Sequence, residues 1–167
     1  MSSTLIRATA PPRIWPRWLV TALDGITGGR LRPWHKRPCP VLVNRREAGR
    51  FAEKAAACYL RELGLEVLRL NYRTPGGEID IVARDGHTLV MVEVRSRSSD
   101  QLGAPIESIT PRKQKRIALA TQSWLELLEG RRFPLRFDVV EVFLSAGELP
   151  VLRHTANAFD LPRHAVY

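Results

Sequence analysis

Cysteine and long apolar runs are scarce in this chain of 167 residues. Its two cysteines, Cys39 and Cys58, are too few for a disulfide scaffold or a four-cysteine zinc site. No run approaches the roughly 20 apolar residues that a membrane-spanning helix needs. The amino end lacks the apolar segment and cleavage site of a secretory signal. Because 44% of the residues are hydrophobic and 26% are charged, the composition is that of a globular protein, and we expect it in the cytoplasm.

Acidic residues are almost missing from the first 46 positions, where Asp24 stands against nine Lys and Arg residues. The rest of the chain is nearly balanced, so the net charge of +9 belongs mainly to this segment. The segment also holds six of the 12 prolines, which fix the backbone and remove donors, and this disfavours a packed element before Val41. We therefore predict a disordered basic arm over residues 1–43. The alternative is an arm whose Arg and Trp residues contact phosphates and bases.

Two helices are predicted from their start and stop signals. Asn44 is placed to cap a helix whose apolar residues recur at helical spacing, and Gly64 ends it. Thr110 and Pro111 are an N-cap and a first helical residue, so a second helix is expected from there to Gly130. The segment before it, from position 100 to 109, has no regular pattern and is expected to be a loop.

The remaining segments have strand patterns. They are LEVLRLNYR, a β-hairpin in GEIDIVARDGHTLVMVEVRSR with a turn at Asp85-Gly86, the apolar LRFDVVEVFL, and LPVLRHT. The order α-β-β-β-α-β-β predicts an α/β fold in which helices flank a mixed sheet. We assign this domain to residues 44–160 and a tail to residues 161–167.

Apolar side chains alternate along both strands of the hairpin and define one of its faces. The apolar residues of the two strands lie on the same face only if the numbers of any two residues that stand opposite each other add to an odd value. Two loop lengths satisfy this condition: a two-residue turn pairs Asp80 with Met91, and a four-residue loop pairs Asp80 with Glu93. The apolar set is Ile79, Ile81, Ala83, Val90, Val92 and Val94.

The opposite face of the hairpin carries Glu78, Asp80, Glu93 and Arg95 in either register. Like charges that face one another on a half-buried sheet are unfavourable unless a cation offsets them. Carboxylate oxygens suit Mg²⁺ or Mn²⁺, and the absence of a matching His and Cys set argues against zinc. The alternative is a solvent-facing pair of strands with ordinary Glu–Arg ion pairs.

The segment from Asp80 through twelve residues to Glu93-x-Arg95 resembles the D…(D/E)-x-K signature of PD-(D/E)xK nucleases. The flanking segments GRFAEKAAACYLRELGLEVLRLNYRT, GGEID, EVR, ITPRKQKRI, RFDVVEV and HTANAF resemble the YraN-type family of uncharacterised bacterial proteins. That family is similar to archaeal Holliday junction resolvases. The resemblance runs from about Asn44 to Phe159. It implies a restriction-endonuclease-like fold and, by analogy with resolvases, a homodimer.

The resemblance also implies roles for individual residues. Asp80 and Glu93 match the metal-binding acids, and Glu53 matches an acid that resolvase-like members place beside the site, with Mg²⁺ or Mn²⁺ as the cofactor. Arg95 stands where the signature has lysine, and because arginine stays protonated it can orient and stabilise charge but cannot be a general base. The implied catalytic set is Glu53, Asp80, Glu93 and Arg95. Lys113 matches a basic position of the family. The amides at the start of the second helix would hold a phosphate, aided by Lys113, Lys115 and Arg116.

The implied function is that of a metal-dependent nuclease that hydrolyses phosphodiester bonds of DNA, with branched and damaged DNA as candidate substrates. The alternative is a nucleic-acid-binding module without catalysis, in which Arg95 marks the lost activity. Two further residues are assigned structural roles: Asp138, within a buried strand pattern, is expected to have a structural partner, and Trp124, at helical spacing, is expected in the core.

Overall fold

In the part of the chain that the structure describes, five strands form one mixed sheet with a helix on each face. The computed structural model describes residues 38–41, 44–101, 109–129 and 131–161. The strands lie in sequence order, with β3 and β4 parallel and the other neighbours antiparallel. This architecture confirms the predicted fold class and element order. The elements are α1 (Arg45–Glu62), β1 (Glu66–Thr74), β2 (Gly77–Asp85), β3 (Thr88–Ser98), a 3-10 turn (Ser99–Gln101), α2 (Pro111–Glu126), β4 (Leu135–Leu144) and β5 (Val151–Thr155).

Both helices begin at the predicted caps. The Asn44 side chain accepts a hydrogen bond from the Glu47 amide at 3.0 Å, and the Thr110 hydroxyl accepts one from the Lys113 amide at 3.3 Å. These bonds satisfy amides that have no partner within the helix. The second helix is shorter than predicted because Glu129 has φ 54, so the chain leaves the helical conformation before position 130. In the part of the chain that is described, neither helix is long and apolar enough to cross a membrane.

The two helices cover separate apolar clusters on opposite faces of the sheet. Small residues such as Ala52 and Ala56 bring α1 close to the central strands. The cluster under α2 contains Trp124, whose ring meets the ring of Tyr72 edge-on with centroids 5.0 Å apart. Trp124 is only 4% exposed, which confirms its assignment to the core.

The hairpin turn lies one residue later than the predicted Asp85-Gly86 turn and is shorter than the four-residue loop considered above. Asp85 still pairs with Thr88, so the connection consists of Gly86 and His87. Gly86 has φ 57, a conformation that glycine adopts without the steric cost that a Cβ would add.

Ile79 lies on the face opposite to the predicted one. Ile81 packs in the α1 cluster, but Ile79 packs in the α2 cluster. The reason lies on the neighbouring strand, where Asn71 has φ 51 and interrupts the extended backbone. Leu70, before it, contacts the α1 cluster, whereas Tyr72, after it, contacts the α2 cluster, and Ile79 pairs with Tyr72. A strict alternation of two residues per repeat does not foresee such an exchange of faces.

Cys39 lies in the segment assigned to the arm but packs against the domain. Its backbone forms a β-bridge with Ala146, its amide donates to the Glu148 carbonyl at 2.7 Å, and the residue is buried. This differs from the expectation that no packed structure precedes Val41, because the peptide groups of Cys39 find partners in the β4–β5 connection. The rest of the predicted arm, residues 1–37 and 42–43, and most of the tail, residues 162–167, lie outside the described residues.

Asp138 is fully buried on β4 and does have structural partners, as expected. Arg136 Nε lies 2.9 Å from Oδ1, His154 Nε2 lies 2.9 Å from Oδ2, and the Asn157 amide donates to Oδ1 at 2.9 Å. Burial alone would raise the pKa of Asp138, but hydrogen bonds with His154, Arg136 and the Asn157 amide outweigh burial and lower this pKa. The buried carboxylate is therefore held in its charged form.

Gly77 allows α2 to approach the start of β2, and its replacement by alanine is predicted to be strongly destabilising. A Cβ at this position would lie 1.8 Å from the carbonyl oxygen of Arg116, which is backbone and cannot turn aside. We expect Gly77→Ala to lower the free energy of unfolding by about 3 kcal/mol, the upper end of the usual cost of overpacking. Urea denaturation monitored by circular dichroism measures the change.

Gly49→Ala is the matched control, because a Cβ at Gly49 in α1 meets nothing within 4 Å. Alanine there should raise the free energy of unfolding by about 0.5–1 kcal/mol, as for a helix interior. Equal stabilities for the two variants would contradict the close packing of α2 on β2.

Candidate functional site

The register of the hairpin sets two carboxylates opposite each other. The last pair of the β2–β3 ladder is Ile81 with Val92, so the next position along it places Asp80 opposite Glu93. Of the two registers considered from the sequence, the one that pairs Asp80 with Glu93 is confirmed, and the one that pairs Asp80 with Met91 is wrong. The two acidic side chains therefore belong to one site.

The sheet divides at this point. Before Ile81, β2 is paired with β1 alone, and after Val92, β3 is paired with β4 alone. Asp80 Oδ2 accepts a hydrogen bond from the Val94 amide at 2.8 Å, so a side chain replaces the main-chain acceptor that a continued ladder would supply. Asp80 and Glu93 thus lie where two paired strands diverge. We call this place the fork.

Glu93 is the most strongly perturbed acid of the fork. Burial, and next the negative charge of Asp80, raise the pKa of Glu93 to about 7. Lys113 Nζ, from the first turn of α2, lies 3.0 Å from Glu93 Oε2. Burial works against the charge on Lys113, but the attraction of Glu93 and Asp80 is larger and leaves the pKa of Lys113 raised. The ammonium is therefore firmly protonated beside the acidic pair.

Three cations surround Glu78 beside the fork. We call Glu78 and its partners Arg73, Lys113 and Arg116 the rim. The Glu78 carboxylate oxygens lie 3.4 Å from Lys113 Nζ, 3.5 Å from an Arg116 guanidinium nitrogen and 3.7 Å from Arg73 Nε. The close approach of α2 to β2 at Gly77 brings two of these cations within reach. Since Lys113 also offsets Glu93, the rim keeps one positive charge, from Arg73 and Arg116 against Glu78.

Glu53 reaches the fork from α1 and is held by Asn71. Asn71 Nδ2 donates a hydrogen bond to Glu53 Oε2 at 2.9 Å. Burial raises the pKa of Glu53, the hydrogen bond from Asn71 lowers it, and the negative charge of Asp80 raises it again, so that the pKa is raised overall. Glu53 is therefore under the electrostatic influence of Asp80.

The other predicted residues occupy the surroundings of this cluster. Arg95 is half-buried on β3, two residues beyond Glu93. In the β3–β4 register its backbone lies beside that of Glu141. Lys115 is exposed on α2. The structure thus brings together Asp80, Glu93 and Lys113, and it connects Arg116 to them through Glu78. Glu53 lies within the electrostatic influence of Asp80.

Three features of the site were not recognised from the sequence: the hydrogen bond of Asn71 to Glu53, the ion pairs of Glu78, and the contact of Lys113 with Glu93. Asn71 offers a weak signal, since asparagine is uncommon in strands and tolerates a left-handed backbone. The position of Lys113 depends on how α2 packs, and no local pattern carries that information.

The acidic pair fits a hard divalent cation. Glu93 Oε2 is buried and, among the described residues, no donor is aligned to make a hydrogen bond with it, although Lys113 forms an ion pair with it. Within the same ranges, no three acidic, His or Cys side chains are grouped so as to hold an ion by themselves. Mg²⁺ is commonly bound through one or two carboxylates, with water completing its shell, and Asp80 with Glu93 supplies that number.

Comparison with known sequences identifies the family. A model of the uncharacterised protein family UPF0102 matches residues 52–142, a range that contains all the predicted site residues. A UPF0102 protein of Dehalococcoides mccartyi is 44% identical over 118 residues, which cover 71% of this chain and 97% of the relative. One from Anaeromyxobacter dehalogenans is 44% identical over 116 residues, covering 70% and 86%. One from Geobacter metallireducens is 40% identical over 119 residues, covering 71% and 97%. These matches confirm the YraN-type resemblance: the chain belongs to the uncharacterised protein family UPF0102.

Proposed function

We propose that this protein is a cytoplasmic, metal-dependent nuclease that hydrolyses phosphodiester bonds of DNA. One observation carries the proposal: Asp80 and Glu93 face each other at the fork, beside a protonated Lys113. A pair of acids held together at the cost of a raised pKa is typical of sites that bind a cation or perform chemistry. Branched and damaged DNA are the candidate substrates.

Asp80 and Glu93 would hold Mg²⁺ or Mn²⁺, and Glu53, whose pKa the charge of Asp80 raises, is the candidate for a third ligand. The bound ion would lower the pKa of a water molecule and neutralise charge on the scissile phosphate. Lys113, kept protonated by the acidic pair, would stabilise negative charge on the phosphate rather than remove a proton. Arg95 would orient the phosphate through its fixed guanidinium.

The rim supplies a surface for the nucleic-acid backbone. Arg73, Arg116 and Lys113 surround Glu78, and both arginine side chains are largely exposed, at 71% and 46%. Cations of this kind contribute sequence-independent affinity that falls as salt rises. The rim therefore favours a polyanionic substrate over a small neutral one.

A second candidate function is a nucleic-acid-binding module without catalysis. It is favoured by one observation, namely that the signature lysine position holds Arg95, while the nearby Lys113 has a raised pKa. Neither cation can then act as a general base at neutral pH. In this case the rim would bind DNA and the fork would remain catalytically silent.

The assay that separates the two functions incubates the full chain with linear, flapped and four-way DNA. Each substrate is tested with Mg²⁺, with Mn²⁺ and with a chelator. We expect cutting that requires the metal and stops in chelator. Salt-sensitive binding without cutting under any condition would instead select the binding module. If the chain neither binds nor cuts any of these substrates, both functions are refuted.

A further inference from the structure

Asn71 occupies a conformation that an interior strand residue rarely adopts. It lies within β1 and has φ 51, in the left-handed region, where side chains other than those of Gly, Asn and Asp are strained. Such outliers persist when the surroundings require them, and they cluster at functional sites. Asn71 is itself exposed, so burial of its own side chain does not explain the conformation.

The neighbours of Asn71 show what the conformation does. The flanking pairs of the β1–β2 ladder are Leu70 with Ile81 and Tyr72 with Ile79, so Asn71 stands across from Asp80. At this position the side chains on both strands change from the α1 face to the α2 face. The interruption therefore coincides with the one residue of β2 that belongs to the acidic pair.

The side chain of Asn71 has a separate task. Its amide donates a hydrogen bond to Glu53 Oε2 at 2.9 Å, while the backbone of Asn71 stands across from Asp80, so Asn71 links the acid of α1 to the strand position of the acidic pair. Position 71 thus requires both a residue that accepts a left-handed backbone and a neutral side chain that donates a hydrogen bond. Glycine and aspartate meet the first requirement but not the second, and asparagine meets both.

We propose that Asn71 is a positioning residue that holds the Glu53 carboxylate at the acidic pair of the fork, so that Glu53 contributes to binding of a divalent cation there. The inference rests on the proposed metal-dependent function and adds a residue that acts through Glu53. Partners of this kind, one step removed from the ligands, typically change metal affinity by about 10–100-fold when they are replaced.

The test is a double-mutant cycle read by calorimetric titration of the full chain with Mn²⁺ alone. Asn71→Gly keeps the left-handed backbone and removes the amide. We expect it to weaken Mn²⁺ binding about 10–100-fold without lowering the melting temperature by more than a few degrees. In the Glu53→Gln background the same change should cause no further loss, because Asn71 then has no carboxylate to hold. Full additivity, or unchanged affinity in Asn71→Gly, would overturn the proposal.

Asn157 provides the matched control. It has the same φ of 51 but lies in the turn after β5. Asn157→Gly should leave Mn²⁺ affinity unchanged, and an equal loss there would show that the effect belongs to the backbone and not to the site. The contact itself is read by NMR: the side-chain amide signal of Asn71 should move in Glu53→Gln and stay in place in Glu62→Gln, a change at the far end of α1.

The two proposals fail separately. Suppose that the chain binds Mn²⁺ and that Asn71→Gly causes no further loss in the Glu53→Gln background, but that no DNA is cut. Hydrolysis is then refuted and the role of Asn71 is retained. If the chain cuts DNA with metal but the losses of Mn²⁺ affinity in Asn71→Gly and Glu53→Gln add up in the double variant, only the role of Asn71 is refuted. A wild-type chain that binds no Mn²⁺ would refute both.

Discussion

Glu93→Gln is expected to lower metal-dependent DNA cutting by a factor on the order of 10³, which is about 4 kcal/mol of transition-state stabilisation. The amide has nearly the same size as the carboxylate but lacks its charge, and Glu93 Oε2 is the buried oxygen without an aligned donor in the described structure. The loss should appear in the cutting rate under saturating Mg²⁺. Affinity for DNA in chelator should remain within about twofold, because the rim cations are unchanged.

This variant should remain folded, which makes the result interpretable. Since burial and Asp80 raise the pKa of Glu93 to about 7, the folded protein disfavours the charged form of this side chain at pH 8. A neutral glutamine removes that penalty, so the melting temperature should be unchanged or higher. Glu148→Gln, a change at an exposed acid in the β4–β5 connection, is the control and should cut at the normal rate. Normal cutting by Glu93→Gln would exclude the fork as the catalytic site.

Asp138→Ala is expected to cause the largest loss of stability, about 3–5 kcal/mol at pH 7, the usual cost of removing one partner of a buried ion pair. The substitution leaves Arg136, His154 and the Asn157 amide without the carboxylate that holds them. It also leaves a cavity on β4. Urea denaturation measures the loss, and Asp160→Asn, at an exposed position near the end of the described chain, should change stability by less than about 0.5 kcal/mol.

The stability supplied by Asp138 should depend on pH in one direction. Its pKa is lowered in the folded state, so its contribution is complete above the unfolded value of about 3.9 and is lost as the pH falls through the lower folded value. The wild-type protein should therefore lose stability relative to Asp138→Ala as the pH decreases below about 4. Parallel stability curves for the two proteins in this acidic range would contradict the assignment.

The helices and most strands could be predicted because their signals are local. Asn44 and Thr110 cap the helices as their side-chain chemistry predicts, and the apolar run of LRFDVVEVFL does form a strand buried on both faces. The acidic pair was predictable too, since two-residue alternation and the hairpin turn leave few registers. Choosing between those registers required the structure.

The parts that could not be predicted depend on contacts between distant segments. Ile79 faces α2 because Asn71, on another strand, leaves the extended conformation. Lys113 reaches Glu93 because Gly77 lets α2 approach β2. The resemblance singled out Lys113 for nucleic-acid binding, whereas the packing of the helix sets its ammonium against the acids. A single sequence contains these residues but not the distances between them.

Because β2 and β3 diverge at the fork, the two facing acids lie on strand ends that are paired with different strands. Asp80 is carried by a strand end that is anchored to β1, and Glu93 by a strand end that is anchored to β4. A disturbance in β1 will therefore act on Asp80 through its own strand, and on β3 through the hydrogen bond that the Val94 amide donates to Asp80 Oδ2. The spacing of the acidic pair is accordingly governed by β1 on one side and β4 on the other, so that substitutions in either strand can change it.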